Sequence, residues 1–323
     1  MMPILKFVPQ FKSVLWGGSR IAIYKGLPPQ GDHIGESWEL SCVPGHESEI
    51  AGGPYKGRTL RELMLSHGRE ILGDRLFDRY DTVFPLLIKV IDSNDDLSIQ
   101  VHPDDCLAAE RHHCPGKTEM WVCVAPENGA YLYSGFNKDM TPGEYVDSIR
   151  NHTIVGKLGK FFTHKGDVFF LPAGRVHSIG KGNLLIEIQE TSDITYRIYD
   201  YDRRDAIGNP RELHINDSIA AVNFSDSGSC GPTSIKGVVN MEEVVADCDN
   251  FTTTALKVCG SIDINLAERN SFTVLIAAEG DARIVAPDNT VTVVPQGSAV
   301  LIPANMPSIT ISGDCSVLMS YIR

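Results

Sequence analysis

The chain has 323 residues, of which 42% are hydrophobic and 22% are charged, a composition that is ordinary for a globular protein. A single hydrophobic core stops growing at roughly 250–300 residues, so we expect two domains. The formal net charge of −12 argues against nucleic acid as a partner, because nucleic acid binding requires a basic face. Any phosphate on a small substrate must then be met by a local cluster of Arg or Lys.

Neither the apolar patterning nor the cysteine spacing points to a membrane or a secreted protein. The longest apolar runs, such as residues 83–91, are strand-sized and far short of the ~20 residues that span a bilayer. The N-terminus lacks a charged leader followed by an apolar stretch and a cleavage site, so we expect a cytoplasmic protein. The eight cysteines include no C-x-x-C pair, and we expect most of them to be reduced.

Short β-rich runs recur along the chain and predict a mainly β protein. Residues 58–77 predict a helix, because Thr59 and Glu62 have the spacing of a capping box. Residues 103–113 predict a second, short helix, and residues 141–158 predict a third with Pro142 at its first helical position. The main predicted strands are residues 85–92, 97–102, 119–125, 167–172 and 184–190.

The two halves of the chain share a sequence frame. Residues 166–177 read Gly, five residues, Pro, one residue, Gly, two residues, His, and residues 297–308 repeat the frame with Asn305 and Ser308 at its last two named positions. We interpret this as a duplicated β-barrel whose second copy has lost the histidine, the alternative being two hairpins that are alike by chance. The turn-rich stretch 223–234 predicts a linker, so the domains are expected at residues 1–222, with the helical insertions, and at residues 235–323.

Four side chains on neighbouring predicted strands form a candidate metal site. Gln100 and His102 are two apart on a strand and therefore point to the same face. Glu119 opens the next strand, and His177 ends the Gly-Pro-Gly turn. A lone His or Gln in such places is more often structural, but the set together favours a metal. Two imidazoles, a carboxylate and an amide oxygen complete the protein part of a zinc site and leave a position for water or substrate.

Several stretches of the first 205 residues are typical of one family. They are WGGSRI (16–21), IGESWELS (34–41), PLLIKVIDSNDDLSIQVHPDD (85–105), GKTEMW (116–121), GDVFFLPAGRVHSIGKG (166–182) and ETSDITYRIYDYDR (190–203). With them the chain resembles the type I mannose-6-phosphate isomerases of the short bacterial form, which belong to the cupin superfamily. After about residue 225 the resemblance is weak. The generic cupin pattern has an Asn four residues after the last histidine, where this chain has Lys181.

The resemblance implies a mainly β fold of two cupin-type β-barrels (jelly rolls), the first with helical insertions and the second degenerate. It also implies one zinc ion per chain, held by Gln100, His102, Glu119 and His177. The expected activity is that of an aldose–ketose isomerase that interconverts mannose 6-phosphate and fructose 6-phosphate through an enediol(ate). A small sugar phosphate is then the expected partner, and the sequence does not predict the oligomeric state.

The resemblance places Asp193 and Arg197 at the active site. An arginine, with a pKa above ~12, is a poor proton acceptor, so Arg197 is expected to stabilise negative charge or bind substrate oxygens. The proton-transfer base is left open among Asp193, Glu36, a zinc-bound water and the neighbourhood of His102. Glu36 has the alternative of a purely structural role.

The phosphate of the substrate is assigned to Lys117 and Ser98. Lys117 lies two residues before Glu119 on a predicted strand and would face the same cavity, where its ammonium can bind phosphate as a point charge. Ser98 shares a face with Gln100 and can donate a hydrogen bond to the same group. Alternatively, Lys117 is solvated at the start of its strand.

Three other functions remain open at the level of sequence. An iron(II) cupin oxygenase would need only His102, Glu119 and His177, with Gln100 incidental. A sugar-phosphate-binding module without catalysis would not need the full ligand set. An isomerase for another phosphorylated aldose is equally compatible, because no residue pattern in one sequence reports the stereochemistry of a sugar.

Overall fold

The computed structural model describes residues 2–204, 208–228 and 230–323. Its strands are β1 Leu5–Lys6, β2 Gln10–Gly18, β3 Ile34–Leu40, β4 Leu86–Ser93, β5 Ile99–Val101, β6 Glu119–Cys123, β7 Tyr131–Phe136, β8 Leu158–Phe162, β9 Asp167–Leu171, β10 His177–Ile179, β11 Asn183–Glu190, β12 Tyr196–Tyr199, β13 Thr233–Ser234, β14 Glu243–Asp247, β15 Thr252–Asn265, β16 Thr273–Glu279, β17 Ala282–Val285, β18 Val291–Val294, β19 Ala299–Ile302 and β20 Ser308–Tyr321. Its α-helices are α1 Arg20–Tyr24, α2 Leu60–Leu72, α3 Asp74–Tyr80, α4 Asp105–His112, α5 Pro142–Arg150 and α6 Ile215–Ala221. The mainly β fold predicted from the sequence is thus confirmed.

Three sheets hold these strands. A seven-stranded sheet has the order β13-β9-β6-β11-β4-β2-β3, and a five-stranded sheet has the order β12-β5-β10-β7-β8. The third sheet has eight strands, in which β1-β19-β16-β20-β15-β14 form the main path and β17 and β18 extend it from β20. The first two sheets come from the N-terminal part of the chain, and the third is built mostly from residues after 240.

The predicted helices and strands form, with two corrections to helix length. Thr59 and Glu62 complete the capping box of α2, but Gly73, at φ 81°, ends that helix and α3 follows, so residues 58–77 form two helices. The helix predicted for residues 141–158 ends at Arg150, and a short 3₁₀ turn, Ile154–Lys157, continues the segment. The five predicted strands correspond to β4, β5, β6, β9 and β11.

Two segments cross the predicted domain boundary. Strand β1 pairs with β19, so residues near the N-terminus belong to the eight-stranded sheet. The stretch predicted as a linker packs on the first part of the molecule, where the N–H of Met140 donates to the carbonyl of Phe224 at 3.0 Å and β13 pairs with β9. The two domains and the second barrel therefore stay predictions. Among the residues described, none of the helices combines the length and apolar character needed to cross a membrane.

Two apolar clusters matter for the site. One lies with the seven- and five-stranded sheets and includes Trp16, Trp121, Phe169 and Ile179. The other fills the interior beside β15, β16, β19 and β20 with side chains such as Leu275. Because residues two apart on a strand share a face, β6 directs Glu119 and Trp121 to the same side, and the polar site lies next to the first cluster.

Candidate metal centre

The four predicted ligands come together from both N-terminal sheets. Gln100 on β5 pairs directly with His177 on β10 in the five-stranded sheet. His102 follows the end of β5, on the same face as Gln100. Glu119 opens β6 in the seven-stranded sheet, and one ligand atom from each of His102, Glu119 and His177 lies within 4.8 Å of the others.

Hydrogen bonds from the opposite ring nitrogens orient both imidazoles. His102 Nδ1 lies 2.8 Å from the carbonyl oxygen of Ile194, and His177 Nδ1 lies 2.9 Å from that of Arg175. A carbonyl oxygen can only accept, so Nδ1 carries the proton in each ring. The two Nε2 lone pairs are therefore left for a cation, the arrangement that orients histidine ligands in metal sites.

Lone pairs face one another in the centre of the cluster. His177 Nε2 lies 3.3 Å from Glu119 Oε1, and that carboxylate oxygen has no hydrogen-bond partner among the described residues. Two buried acceptors at this distance repel unless a cation lies between them or near them. The amide of Gln100, 3.3 Å from His177 Nε2, can present its oxygen by rotation, because the two ends of an amide are assigned from their surroundings.

Lys117 lies inside this cluster. Its ammonium is 2.5 Å from Glu119 Oε2 and 3.1 Å from His102 Nε2, and the side chain is almost fully buried. Lys117 thus lies on the same side of its strand as Glu119. The ammonium of Lys117 thus contacts one imidazole nitrogen and one carboxylate oxygen of the candidate ligand set.

Burial sets the protonation of the ligands. Desolvation and, after it, the charge of Lys117 lower the pKa of His177 to about 3 and that of His102 well below its ordinary value. Desolvation raises the pKa of Glu119 to about 7, although the neighbouring ammonium of Lys117 lowers it. Both imidazoles are neutral at physiological pH, the form that binds a metal, and a bound cation would favour the carboxylate. The donor set therefore fits a divalent transition metal.

A cavity of about 190 Å³ opens beside the ligands. The predicted residues Ser98, Gln100, Lys117, Asp193 and Arg197 all line it, as does Glu36. It is also lined by Val14, Trp16, Lys89, Ile91, Leu97, Ile179, Glu187, Thr195 and Arg211. The cavity thus brings the separate sequence predictions into one site.

Lys89 and Glu187 form a buried ion pair in this cavity that sequence reasoning missed. They face each other in register on β4 and β11, with Nζ 3.0 Å from Oε2, and Trp121 Nε1 donates to Glu187 Oε1 at 2.9 Å. Burial alone would raise the pKa of Glu187, but Lys89 and Lys117 hold it at about 2. The available signal was a single charged residue inside each of two apolar runs, LLIKVI and LLIEI.

Arginines gather at another part of the cavity, around the buried carboxylate of Asp200. Arg211 Nε donates to Asp200 Oδ2 at 2.7 Å, and Arg203 Nη2 donates to Oδ1 at 2.5 Å. Arg197 donates from Nη1 to the carbonyl of Glu212 at 2.9 Å, but its buried Nε has no partner in the described ranges. Burial and the charge of Arg211 lower the pKa of Arg197. Sequence reasoning missed Arg211, because only folding brings it to Asp200.

Comparisons with known proteins give concordant results. Residues 4–127 match the family model "Phosphomannose isomerase type I, catalytic domain", and residues 240–322 match "Mannose-6-phosphate isomerase, cupin domain". The chain is 32% identical to mannose-6-phosphate isomerase ManA of Bacillus subtilis, over 98% of each protein. It is 31% identical to the mannose-6-phosphate isomerase of Streptococcus mutans, over 97% of this chain and 96% of that protein.

Solved structures agree with the sequence relatives. A crystal structure of mannose 6-phosphate isomerase from Bacillus subtilis superposes with a TM-score of 0.86 at 31% identity, covering 99% of this chain and 100% of that one. A phosphomannose isomerase variant from Salmonella typhimurium, at 16% identity, has the same fold with a TM-score of 0.78 and 99% of both chains covered. Both similarities run through the N- and C-terminal parts of the chain alike.

Proposed function

The chain belongs to the type I mannose-6-phosphate isomerase family, and from that premise we propose that it interconverts mannose 6-phosphate and fructose 6-phosphate at the site of His102, Glu119 and His177. The observation that carries the proposal is a buried cluster of metal-binding atoms beside a cavity that an arginine pair also lines. A metal cluster alone would also fit an oxygenase. The arginines favour a substrate with a strong anion at the end opposite its reacting carbons.

We further propose that the cluster, with Gln100 as a fourth ligand, holds one zinc ion per chain. When bound, the ion supplies Lewis-acid polarisation of a substrate oxygen and needs no redox change, which suits an isomerisation with no net electron transfer. Neutral imidazoles and one carboxylate are common zinc ligands. Elemental analysis of the purified protein tests the identity and the stoichiometry of the metal.

In the conversion of mannose 6-phosphate to fructose 6-phosphate, C2 loses a proton and C1 gains one. A hydroxyl proton moves from the oxygen on C2 to the oxygen on C1, and the intermediate is an enediol(ate). Of the two roles expected of Arg197, stabilising negative charge or binding substrate oxygens, we propose the second, because its guanidinium lies beside that of Arg211. Asp193 and Glu36 line the same cavity and remain the candidates for the carboxylate that moves the carbon-bound proton. Lys89 keeps Glu187 ionised, so that pair presents fixed charges to the sugar hydroxyls.

The position of Lys117 suggests a different anchor for the phosphate from the one that strand periodicity predicted. Lys117 already contacts Glu119 and His102, and a phosphate bound there would lie among the metal ligands, too close to the reacting carbons. We therefore propose that Lys117 and Ser98 contact the sugar near C1 and C2. The phosphate, at the far end of a hexose, needs a site of its own.

We propose that Arg197 and Arg211 form that site. Arg203 and Arg211 both pair with one buried carboxylate, Asp200, and Arg197 lies close enough for these charges to affect its pKa. Three guanidinium groups beside one carboxylate leave a local surplus of two positive charges. Asp95 approaches Arg203 at 3.8 Å from the exposed surface and offsets that surplus only weakly. A phosphate monoester carries a charge of about −1.5 to −2 at pH 7 and would also accept a hydrogen bond from the unpartnered Arg197 Nε.

The activity is tested by a coupled assay of mannose 6-phosphate conversion to fructose 6-phosphate, before and after chelation and again after zinc is restored. We expect turnover to disappear with the metal and to return with zinc. Oxygen uptake with the same substrate is measured in parallel. Metal-dependent oxygen consumption without isomerisation would reject the proposal in favour of an oxygenase.

The phosphate site is tested by the ratio of kcat/KM for mannose 6-phosphate to that for free mannose. Arg211→Gln is expected to reduce this ratio about ten- to a hundredfold, since hydrogen bonds to a charged group contribute about 1.5–3 kcal/mol each. Lys117→Met is expected to lower turnover on both sugars and to leave the ratio nearly unchanged. Arg204→Gln, in the same segment but outside the cavity, is the control. A ratio that falls only in Lys117→Met would return the phosphate to Lys117.

A further inference from the structure

We propose that an apolar cavity between the seven-stranded and eight-stranded sheets binds a small, mostly apolar molecule that carries one anionic group. The cavity measures about 260 Å³ and is separate from the metal centre. One wall is the end of β6, residues 122–124, with Gly166. The opposite wall is formed by β15, β16 and β20, and residues 235–243 cover it. A ligand there would contact both sheets and the segment that joins them.

The walls of this cavity are mainly apolar. Val124, Ala255, Ala278, Val317 and Leu318 are among the residues that line it. Cys123 is the thiol in the wall, and burial raises its pKa to about 12, so it is uncharged. An apolar cavity offers water few hydrogen bonds, and a smaller engineered cavity of about 150 Å³ stays dry and binds benzene. A molecule of one or two fused rings therefore fits by size and by chemistry.

The charges at the rim favour an anionic group on that molecule. Lys165 pairs with Glu279 at 2.6 Å, and Glu243 accepts the backbone N–H of Lys236 at 2.9 Å. Lys257 also lines the cavity, and no carboxylate or hydrogen-bond acceptor contacts its ammonium within the described ranges. An anion placed beside Lys257 would gain a partner without displacing an existing one.

The segment that covers the cavity continues the apolar surface outward. Met241, which lines the cavity, is 59% exposed, and Val238, Val239 and Val244 are each about half exposed. Four large apolar side chains within seven residues are unusual for surface that has only to be solvated. Ligand sites are often found at boundaries between packed units, where one molecule can bury several such groups at once.

The test uses anilinonaphthalene sulfonate, whose fused rings and single sulfonate match the proposed ligand, with the intact chain. We expect saturable binding of one molecule per chain by fluorescence titration, with a rise in Tm at saturation. Ala278→Leu fills part of the cavity and should weaken binding about tenfold or more, since the apolar contact is lost. Lys257→Gln should weaken it about three- to tenfold through the lost ion pair.

Ala109→Leu, which adds the same side chain at an exposed position on α4, is the control and should bind like the wild type. Equal affinity in all four proteins, or no saturable binding, would overturn the proposal. Weakening by Lys257→Gln but not by Ala278→Leu would also overturn it, because the probe would then lie on the surface. No arm of the test depends on the isomerase activity, so its failure leaves the proposed function untouched.

Discussion

Strands β6 and β16 pair in corresponding ways with the two copies of the sequence frame, yet they carry different chemistry at equivalent positions. The N–H of Gly166 donates to the carbonyl of Cys123 at 2.9 Å, and the N–H of Gly297 donates to that of Ala277 at 2.7 Å. The pairing of β9 with β6 and of β19 with β16 then places Glu119 and Thr273 at equivalent positions. One backbone arrangement carries a metal ligand in the first copy and a hydroxyl in the second.

The two interiors differ in the same way. The first holds buried ionised groups, and each has a partner of opposite charge or a set of hydrogen bonds, as in the Lys89–Glu187 pair. The second is filled by aliphatic and sulfur-containing side chains: Leu256, Val258, Ile264, Leu266, Leu275, Ala277, Ala282, Ile284, Ala286, Val294, Val300, Ile302, Met306, Ile309, Ile311, Cys315, Val317 and Met319. Buried charge gains little stability over apolar packing. Among the residues that the structure describes, it lies in only one of the two interiors, which favours that interior as the reactive one.

The turns before β10 and β20 also differ in which residue faces the interior. His177 is buried, but Ser308, which replaces it in the sequence frame, is exposed, and its neighbour Ile309 faces the apolar interior. The sequence alignment of the two frames predicted a lost ligand at Ser308. The structure adds that this position does not face the second interior at all.

The largest expected effect is that of replacing His177 by alanine, compared with the same substitution at Ser308. His177→Ala removes one of the ligands and should lose most bound metal and nearly all activity, because the remaining donors form an open site. Metal content and coupled turnover measure both losses. Ser308→Ala is the matched control and should change neither of them, and should alter stability by less than about 0.5 kcal/mol. Full metal occupancy in His177→Ala would show that His177 is not a ligand.

A core truncation in the second interior should have a different signature. Leu275 is fully buried, and Leu275→Ala is expected to lower the free energy of unfolding by about 2–5 kcal/mol, through lost apolar burial and the cavity left behind. Denaturant unfolding of the metal-loaded protein measures this loss. Metal content below the unfolding transition should stay at the wild-type value. Loss of metal from a protein that is still folded would show that the two interiors are coupled.

The smallest expected effect is a pH dependence of stability that originates in the N-terminal part of the molecule, at Glu190. Burial raises the pKa of Glu190 to about 7, although the N–H of Thr118 donates to its carboxylate at 2.7 Å and lowers the pKa somewhat. An unfolded glutamate titrates near 4.3, so the folded protein binds this proton more tightly. The resulting stabilisation is complete below about pH 4 and is lost as the pH rises through 7, by roughly 1–3 kcal/mol.

Glu190→Gln keeps an acceptor for Thr118 and should remove this part of the pH dependence. Urea unfolding between pH 5 and 8 compares the slope of the variant with that of the wild type. Glu110→Gln, at an exposed position on α4, provides the control and should keep the wild-type slope. An unchanged slope in Glu190→Gln would mean that other groups carry the dependence.

The sequence by itself determined the local elements and three residues that cluster in the structure, His102, Glu119 and His177. Capping residues and short β-rich runs are local signals, so the helix capped by Thr59 and strands such as β4 and β11 could be predicted without tertiary contacts. The i, i+2 spacing of Gln100 and His102 reports their shared face for the same reason. The match of the first 205 residues to the family supplied Glu119 and His177 as their partners.

Only the tertiary structure decided the partners of the charged residues. Lys89 meets Glu187 because two strands almost a hundred residues apart pair in one register, and Arg211 donates to Asp200 from eleven residues further along the chain. Periodicity placed Lys117 on the correct face but could not report that its ammonium contacts the metal ligands. The domain boundary also depends on the pairing of distant segments, since β1 joins the eight-stranded C-terminal sheet. Spacing along a strand fixes which face a side chain takes, whereas the pairing of distant segments fixes what it contacts there.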